Sequence, residues 1–207
     1  MRVLLVYSNQ CLDLTLAPPV GLSYVASATK QAGYEVKFLD LLLEKCPHEL
    51  LQSVICDFSP DVVGISVRNI DNVLYQRIQN HLSELASFLA IIRGAGDTEQ
   101  SNNIKIVLGG SAISILGKIA LQHLDADFTV RGEGERSFPA LLSALKNQKN
   151  YSHIKGLCYR QGGKIVSTEP ELIGDFGPSG MQNWINWSSY HNKGNACWAI
   201  QSKRGCP

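Results

Sequence analysis

The chain has 207 residues, with 19 Lys and Arg against 18 Asp and Glu, and its formal net charge is +1 at pH 7. This balance lacks the basic excess that binds a phosphate backbone or an anionic membrane, so neither nucleic acid nor a membrane is expected as a partner. No run approaches the roughly 20 consecutive apolar residues of a membrane span, and no signal-peptide cleavage region follows Met1. We therefore expect a cytoplasmic protein.

From Arg2 onward, short apolar runs alternate with longer segments of helical period, which is typical of βαβ units around a parallel sheet. Each run is apolar enough to form a strand that helices cover on both faces. Five strands are predicted, at residues 3–7, 35–39, 62–66, 104–108 and 127–130. We expect an α/β fold of three layers, Rossmann-like, with the flavodoxin-like strand order 2-1-3-4-5.

Helical stripes fill the segments between these strands. The first stripe precedes Gly33, a residue type that often ends helices. The third and longest helix is expected to follow Asp71, which can cap its first turn, and to end near Gly94, before a polar surface loop. Two shorter helices are predicted within residues 113–124 and 138–145, so five β/α units are complete by about residue 147.

A β-hairpin is predicted after these units. Residues 154–159 and 164–168 flank a turn that contains two glycines, and the hairpin is expected to border the main sheet. We place a first domain at residues 1–150 and the hairpin extension at 151–169. Residues 170–207 are assigned to a linker and to a strand-like segment that ends in a cysteine, which is how several cluster-binding barrels begin.

The predicted linker is rich in Pro, Gly, Asn and Ser between residues 170 and 195, which argues against regular structure there. Trp184, Trp187 and Tyr190 lie within it. Each of these side chains carries a large apolar area, so we expect them to dock on a neighbouring domain rather than to remain in water.

The six cysteines lie far apart and contain no Cys-x-x-Cys, so the sequence indicates neither a small zinc site nor a dithiol redox pair. Cys46, Cys56 and Cys158 are expected to be small buried hydrophobic residues, and Cys11 is interpreted as an ordinary loop thiol. Cys206 stands apart, because it follows an apolar, strand-like run at residues 196–200.

In the predicted strand order, a crevice opens at the carboxyl ends of the strands, and a ligand is expected there. The loop after the first strand, residues 8–20, is long, since about 2 to 6 residues is usual for such a loop. After the fourth strand, Gly109 and Gly110 would let a ligand approach the backbone, and Ser111 starts a helix whose free N–H groups favour a phosphate or hydroxyl. Taken alone, this loop also fits a tight turn with a capping serine.

The loop after the fifth strand reads Arg131-Gly132-Glu133-Gly134-Glu135, which places two glycines and two carboxylates close together. This loop alone also fits a capped helix with acidic residues at its positive end.

Four segments of the chain, taken together, resemble the N-terminal cobalamin (B12)-binding domain of B12-dependent radical SAM enzymes. They are Pro18-Pro19-Val20-Gly21-Leu22, Gly33-Tyr34-Glu35-Val36, Val107-Leu108-Gly109-Gly110 and Arg131-Gly132-Glu133-Gly134-Glu135.

This resemblance covers nearly the whole chain. In that family, the domain and a linker precede a partial (β/α) barrel, whose first strand leads into the cluster motif Cys-x-x-x-Cys-x-x-Cys. Residues 198–207 resemble that strand and its first cysteine, Cys206. The resemblance therefore implies that Cys206 is a ligand of a 4Fe-4S cluster, and that S-adenosylmethionine binds, only in the full-length parent.

The resemblance also implies a set of cofactor-binding residues and no catalytic residue in this chain. The loops after the first and third strands are expected near the corrin ring, and those after the fourth and fifth strands along the nucleotide tail. The implied residues are Asn9, Leu16, Pro19, Ser66, Val67, Arg68, Asn69, Gly109, Gly110, Ser111, Arg131, Gly132, Glu133 and Gly134.

One motif of related domains is missing. Cobalamin domains of the mutase and methionine-synthase type carry Asp-x-His-x-x-Gly after the first strand, and the loop at residues 8–20 contains no histidine. The five histidines of the chain are instead expected on the surface or at helix ends. Cobalamin is therefore expected to bind without a protein histidine below the cobalt.

Three hypotheses for the function follow. The first is a cobalamin-binding module, catalytically incomplete alone, whose parent carries out methyl transfer or related radical chemistry. The second is a degenerate domain that binds no cofactor and serves as a docking module, and Gly110→Trp is expected to distinguish the two. The third, a flavodoxin or receiver module, is disfavoured by Ser66-Val67-Arg68 at the position of a phosphorylatable Asp and by the missing phosphate loop after the first strand.

Overall fold

A computed structural model describes residues 1–12, 15–71, 80–94, 104–172, 177 and 179–193. Within these residues, one seven-stranded sheet carries helices on both faces. The strands are β1 (Arg2–Tyr7), β2 (Glu35–Asp40), β3 (Val62–Ser66), β4 (Lys105–Gly109), β5 (Phe128–Val130), β6 (Leu157–Gln161) and β7 (Lys164–Ser167). The helices are α1 (Val20–Gln31), α2 (Pro47–Phe58), α3 (Leu82–Gly94), α4 (Ser111–His123), α5 (Gly134–Lys146), α6 (Met181–Trp184) and α7 (Trp187–His191).

The strand order is β2-β1-β3-β4-β5-β6-β7, and the first five strands of this series are parallel. The predicted α/β fold and the order 2-1-3-4-5 are therefore confirmed. The predicted hairpin also forms, and its strands extend the same sheet in antiparallel pairing. The expectation that helices cover every strand fails for β2, an edge strand whose residues are mostly half-exposed.

Two apolar cores lie on opposite faces of the sheet. Alternate residues of β1 show the division, because Leu4 and Val6 face α2, α3 and α4, whereas Val3 and Leu5 face α1 and α5. All four of these side chains are almost fully buried. Among the described helices, none combines the length and apolar character that crossing a bilayer requires.

The start of α3 differs from the prediction. The structure begins this helix at Leu82, and Asp71 instead pairs with Asn80 in an isolated antiparallel bridge. The Asn80 side chain supplies the oxygen that was expected from Asp71, since its Oδ1 accepts a hydrogen bond from Leu82 N at 2.8 Å. The remaining predicted helical positions at 72–79, and the surface loop predicted after Gly94 at 95–103, lie outside the described residues.

The prediction that Cys46 and Cys56 are buried was wrong, because both are exposed. Cys46 lies immediately before α2, and Cys56 lies on the outer side of that helix, because the inner stripe is already formed by its apolar neighbours Leu51, Val54 and Ile55. Cys158 is buried in β6 as expected, and the described cysteines are free thiols.

All five histidines lie on the surface or next to helix ends, as expected. None of them is buried overall. The positions are His48 in the first turn of α2, His81 just before α3, His123 and His191 at the ends of α4 and α7, and His153 in an exposed turn.

The α6–α7 segment (residues 179–193) corrects the prediction of an irregular linker. It contains two short helices, and its aromatic side chains pack on this same domain rather than on a neighbouring one. The Trp184 ring lies 5.8 Å from that of Phe38, and its Nε1 donates to Ser27 Oγ at 2.9 Å. The segment covers apolar surface that α1 and the edge strand β2 leave open.

Residues 194–207, including Cys206, lie outside the described residues.

Tyr190 fixes the far end of this segment. Its hydroxyl donates to Asp40 Oδ2 at 2.5 Å, and Leu42 N donates to Asp40 Oδ1 at 3.1 Å. Burial raises the pKa of Asp40 above its ordinary value of 3.8, although these hydrogen bonds oppose the rise, and nearby Glu44 adds to it. The folded protein therefore binds the Asp40 proton more tightly than the unfolded chain does.

Replacing this buried carboxyl with Asp40→Asn is expected to remove a pH dependence of stability. The contribution of Asp40 to the free energy of unfolding is complete below pH 3.8 and is lost as the pH rises through its raised folded-state pKa. The free energy of unfolding of the wild type should therefore fall relative to that of the variant as the pH rises above 3.8 through the raised pKa of Asp40, as measured by urea denaturation. Asp57→Asn, at an exposed position of α2, is the control. A wild-type-to-variant difference that does not change with pH would contradict the assignment.

Candidate functional site

A cleft of about 490 Å³ lies at the carboxyl edge of the parallel strands. It opens between α1 and the loops that follow β4 and β5. Parallel strands end at one edge of a sheet, and consecutive helices diverge there, so this position follows from the strand order. The volume falls within the range of about 300–1,000 Å³ that is common for small-molecule sites.

Two rows of paired residues form the sheet side of the cleft. The upper row, at the strand ends, consists of Tyr7, Ser66 and Gly109, which are neighbours in register. The lower row, two residues earlier in each strand, consists of Leu5, Gly64 and Val107. Side chains alternate along a strand, so both rows face α1 and α5. The upper row carries two hydroxyl groups, and the lower row is apolar.

Gly64 lets two side chains close the bottom of the cleft. A Cβ at this position would lie 2.8 Å from Leu5 Cδ2 and 3.1 Å from Phe138 Cζ. The ring of Phe138, from α5, and the side chain of Leu5 thus occupy the space above the central strand. A glycine inside a buried strand often marks such a close approach.

Gly21 and Gly109 leave the cleft open. A Cβ at Gly21 would have no described atom within 4 Å, and a Cβ at Gly109 would meet only Val130 O, at 3.9 Å. Both residues line the cleft, one in the first turn of α1 and one at the end of β4. Side chains at these two positions would fill space that is available to a ligand.

Gly110 has a structural role that the sequence did not indicate. Its φ is +97°, and a Cβ here would lie 2.5 Å from Val67 O and 2.9 Å from Val67 N. The same Val67 backbone accepts a hydrogen bond from Ala112 N and donates one to Gly109 O. A large side chain at Gly110 would therefore disrupt the fold, so Gly110→Trp does not distinguish a cofactor-binding domain from a docking module.

Two serines of α4 tie the surrounding loops together. Ser111 Oγ donates to Arg68 O at 2.7 Å, which joins the β4–α4 loop to the loop after β3. Ser114 Oγ donates to Gly110 O at 3.0 Å and accepts from Gly132 N at 2.9 Å. These two bonds join the β4–α4 loop to the loop after β5. Ser111 is the first helical residue rather than the N-cap, which is Gly110.

Tyr7 closes the cleft on the side of the long β1–α1 loop. Its hydroxyl donates to Ala17 O at 2.9 Å and accepts from Asn9 Nδ2 at 3.2 Å. Burial raises the pKa of Tyr7 to about 12, although the Arg68 guanidinium opposes this rise. The phenol therefore stays protonated at neutral pH and holds the loop by a neutral hydrogen bond.

The structure brings most of the sequence-predicted residues together around the cleft. Those that line it are Pro19, Ser66, Arg68, Gly109, Gly110, Ser111, Gly132, Glu133 and Gly134.

Five other predicted residues, Asn9, Leu16, Val67, Asn69 and Arg131, do not line the cleft. Asn9 and Leu16 are buried within the β1–α1 loop, and Val67 faces the opposite core. The Arg131 guanidinium turns towards β7, where its Nη1 donates to Ser167 Oγ at 3.0 Å.

Sequence reasoning missed the floor and the helical wall of the cleft, because it considered the loops, and within those loops it did not single out Pro18 and Glu135. The alternation along β1 and the glycine within β3 were signals for the floor. The wall of α1 follows directly after the Pro18-Pro19 pair. The missed lining residues are Leu5, Tyr7, Pro18, Val20, Gly21, Leu22, Val25, Gly64, Ile65, Val107, Leu108, Ser114, Val130, Glu135 and Phe138.

Within the described part of the chain, no three His, Cys, Asp or Glu side chains form a group that suits a metal ion. The chemistry of the cleft is instead that of a glycine-lined, largely apolar slot with hydroxyl groups and charges near its opening. Such a slot suits an organic ligand that is long and partly apolar.

The sequence relatives are longer proteins. The chain is 26% identical over 200 residues to an uncharacterized methyltransferase of Pyrococcus horikoshii, with 93% of this chain and 39% of that protein covered. It is 25% identical over 198 residues to the hopanoid C-3 methylase of Methylococcus capsulatus, with 91% of this chain and 34% of the relative covered. The chain thus spans little more than a third of the length of these relatives.

A solved structure has the same fold as this chain, and its sequence identity to the chain is similar to that of the relatives above. It is the radical S-adenosylmethionine methyltransferase TsrM from Kitasatospora setae, with cobalamin and a 4Fe-4S cluster bound. The TM-score is 0.70 at 26% identity, and the match covers 86% of this chain and 31% of TsrM. The profile of the B12 binding domain family matches residues 14–142, more than half of the chain. The chain therefore belongs to the B12 binding domain family and is homologous to the cobalamin-binding modules of radical SAM methyltransferases.

Proposed function

We propose that the cleft holds the nucleotide tail of cobalamin and that the corrin ring lies over the loops after β1 and β3. The observation that carries this proposal is the glycine-lined cradle. Gly21 and Gly109 both border the cleft and leave space that a Cβ would fill. A domain that no longer bound a cofactor would be under no constraint to keep this slot open, so the cradle favours a cofactor-binding domain over a degenerate one.

The residues of this chain would bind and orient the cofactor rather than react with it. Tyr7 and Asn9 hold the β1–α1 loop in place, and Ser111 and Ser114 hold the loops on the other side of the cleft. Leu12, in the β1–α1 loop, is a large apolar side chain that is 58% exposed. An apolar group at this edge suits a loop that a bound ring covers.

Cobalamin in this site would have no protein histidine below its cobalt. The β1–α1 loop at residues 8–20 contains none, and Cys11 in that loop is buried. The cofactor, when bound, would supply a cobalt centre that can carry a methyl group. The chain would contribute the shape of the slot, the exclusion of water and the orientation of the ring.

We further propose that the parent protein is a B12-dependent radical SAM enzyme of the methyltransferase type. The names and lengths of the relatives support this assignment. In that protein, residues 1–150 would bind cobalamin and 151–169 would extend the sheet. Residues 170–207 would lead into the barrel, with Cys206 as a ligand of the 4Fe-4S cluster. A cytoplasmic location is part of the proposal.

A titration with hydroxocobalamin tests the binding proposal. We expect the visible spectrum of the cofactor to change on addition of the protein, and the cofactor to co-elute with the protein in gel filtration. The electron paramagnetic resonance spectrum of the reduced Co(II) form should lack nitrogen splitting, because a tail held in the cleft would keep the benzimidazole of the cofactor away from the cobalt and the β1–α1 loop offers no histidine in its place. Cobalamin that elutes entirely separately from the protein would contradict the proposal. Nitrogen splitting that changes when the protein is labelled with 15N would contradict only the absence of a histidine ligand, whereas splitting that labelling leaves unchanged would come from the cofactor's own base and would contradict the entry of the tail into the cleft.

A further inference from the structure

The bottom of the cleft consists of apolar side chains alone. Leu5, Val107 and Phe138 are between 1% and 4% exposed, and they surround the side-chain-free Gly64. Leu22 of α1, which is 7% exposed, also lines the cleft. A polar group placed at this depth would leave water and meet hydrocarbon.

The polar side chains of the cleft lie nearer its opening, and several are already engaged. The Tyr7 hydroxyl donates to Ala17 O, the Ser111 hydroxyl to Arg68 O and the Ser114 hydroxyl to Gly110 O. The charged lining residues, Arg68, Glu133 and Glu135, are only partly buried or are exposed. Hydrogen-bonding capacity is therefore concentrated at the rim and absent from the lower row.

We infer that the cleft selects among cobamides by the base that ends the nucleotide tail. It favours an apolar benzimidazole base over a purine base such as adenine. This inference rests on the proposed function, because it requires the tail to enter the cleft. The exocyclic amine and ring nitrogens of adenine would lose their hydrogen bonds to water without gaining partners, whereas the methyl groups of dimethylbenzimidazole would gain contact with the apolar floor.

Three probes test this selectivity in equilibrium binding measurements. They are cobalamin, the corresponding cobamide with an adenine base, and cobinamide, which lacks the nucleotide. The expected order of affinity is cobalamin, then the adenine cobamide at roughly tenfold weaker binding, then cobinamide. Equal affinities for the first two, with cobinamide weaker, would overturn the selectivity and leave the proposed function standing. Equal affinities for all three would overturn the entry of the tail into the cleft, and no binding of any probe would overturn the proposed function itself.

A pair of matched variants tests whether the lower row is the source of the selectivity. Val107→Thr adds a hydroxyl to the cleft floor at nearly constant volume. Val63→Thr makes the same change on the opposite face of the sheet, at a position that is also fully buried. We expect Val107→Thr to narrow the affinity ratio between cobalamin and the adenine cobamide by about threefold or more, and Val63→Thr to leave the ratio unchanged. An unaltered ratio in Val107→Thr, with binding intact, would overturn the assignment.

Discussion

Gly109→Phe is expected to abolish the retention of cobalamin without unfolding the domain. Gly109 is the last residue of β4, and a side chain at this position would point into the cleft. A Cβ there would meet only Val130 O, at 3.9 Å. A phenyl ring would therefore enter the cleft rather than the core. We expect the affinity for hydroxocobalamin to fall by roughly 100-fold or more, which corresponds to about 2.7 kcal/mol. Spectroscopic titration measures the loss, and circular dichroism reports whether the fold persists.

Gly94→Phe is the matched control for this variant. Gly94 is exposed at the end of α3, and a Cβ there would have no described atom within 4 Å. It lies at the opposite edge of the sheet, because the preceding Arg93 donates to Ile104 O just before β4 begins. The same substitution at this site should leave binding unchanged. Wild-type affinity in Gly109→Phe would show that the nucleotide tail does not occupy the cleft.

Gly110→Ala is expected to destabilise the domain by about 2–6 kcal/mol, although it adds a single methyl group. Its backbone, at a φ of +97° and a ψ of 179°, lies in a region that is essentially restricted to glycine and costs another residue about 1–3 kcal/mol. The approach of the new Cβ to Val67 O, at 2.5 Å, adds crowding that costs about 1–3 kcal/mol. The loop after β3 cannot move aside freely, because Val67 is hydrogen-bonded to Gly109 and Ala112. Urea denaturation measures the change in the free energy of unfolding.

Gly33→Ala provides a comparison in which a positive φ is present without the crowding. Gly33 has a φ of +84°, and a Cβ there would have no described atom within 4 Å. This substitution should therefore cost only the conformational part, about 1–2 kcal/mol. Equal destabilisation by the two alanine substitutions would mean that the contact between Gly110 and Val67 contributes nothing to stability.

The two adjacent glycines at the end of β4 thus have different roles, although they look equivalent in the sequence. Gly109 keeps the cleft open, whereas Gly110 allows two loops to approach each other. The difference arises from the backbone that lies opposite each residue. For Gly110 that backbone belongs to Val67, which is 43 positions earlier in the chain, so no local pattern reports it.

The alternation of apolar runs predicted the parallel sheet because burial on both faces demands continuous apolar strands. All five parallel strands lie within about one residue of their predicted positions, as β3 at Val62–Ser66 illustrates. The same reasoning located the loops at the carboxyl edge, because the strand order fixes where the crevice opens. It did not locate the cleft floor, because Leu5 and Val107 look like ordinary core residues in any one strand.

The structure of the α6–α7 segment could not be predicted from the sequence. Its composition resembles that of a linker, and its two helices are only a few residues long, so no helical stripe can be recognised. The segment is held by contacts with residues about 150 positions away, from Trp184 to Ser27 and from Tyr190 to Asp40. Such contacts decide that these aromatic side chains cover their own domain.

The sequence by itself determined the α/β architecture, the strand order and the edge of the sheet at which the cleft opens, because side-chain periodicity along the chain records which faces are buried. Only the tertiary structure decided which residues form the cleft, which glycine can be replaced and where the α6–α7 segment docks. Those properties depend on the distance between atoms that are far apart in the chain. That distance is set by strand register and loop packing, which the order of residues does not display.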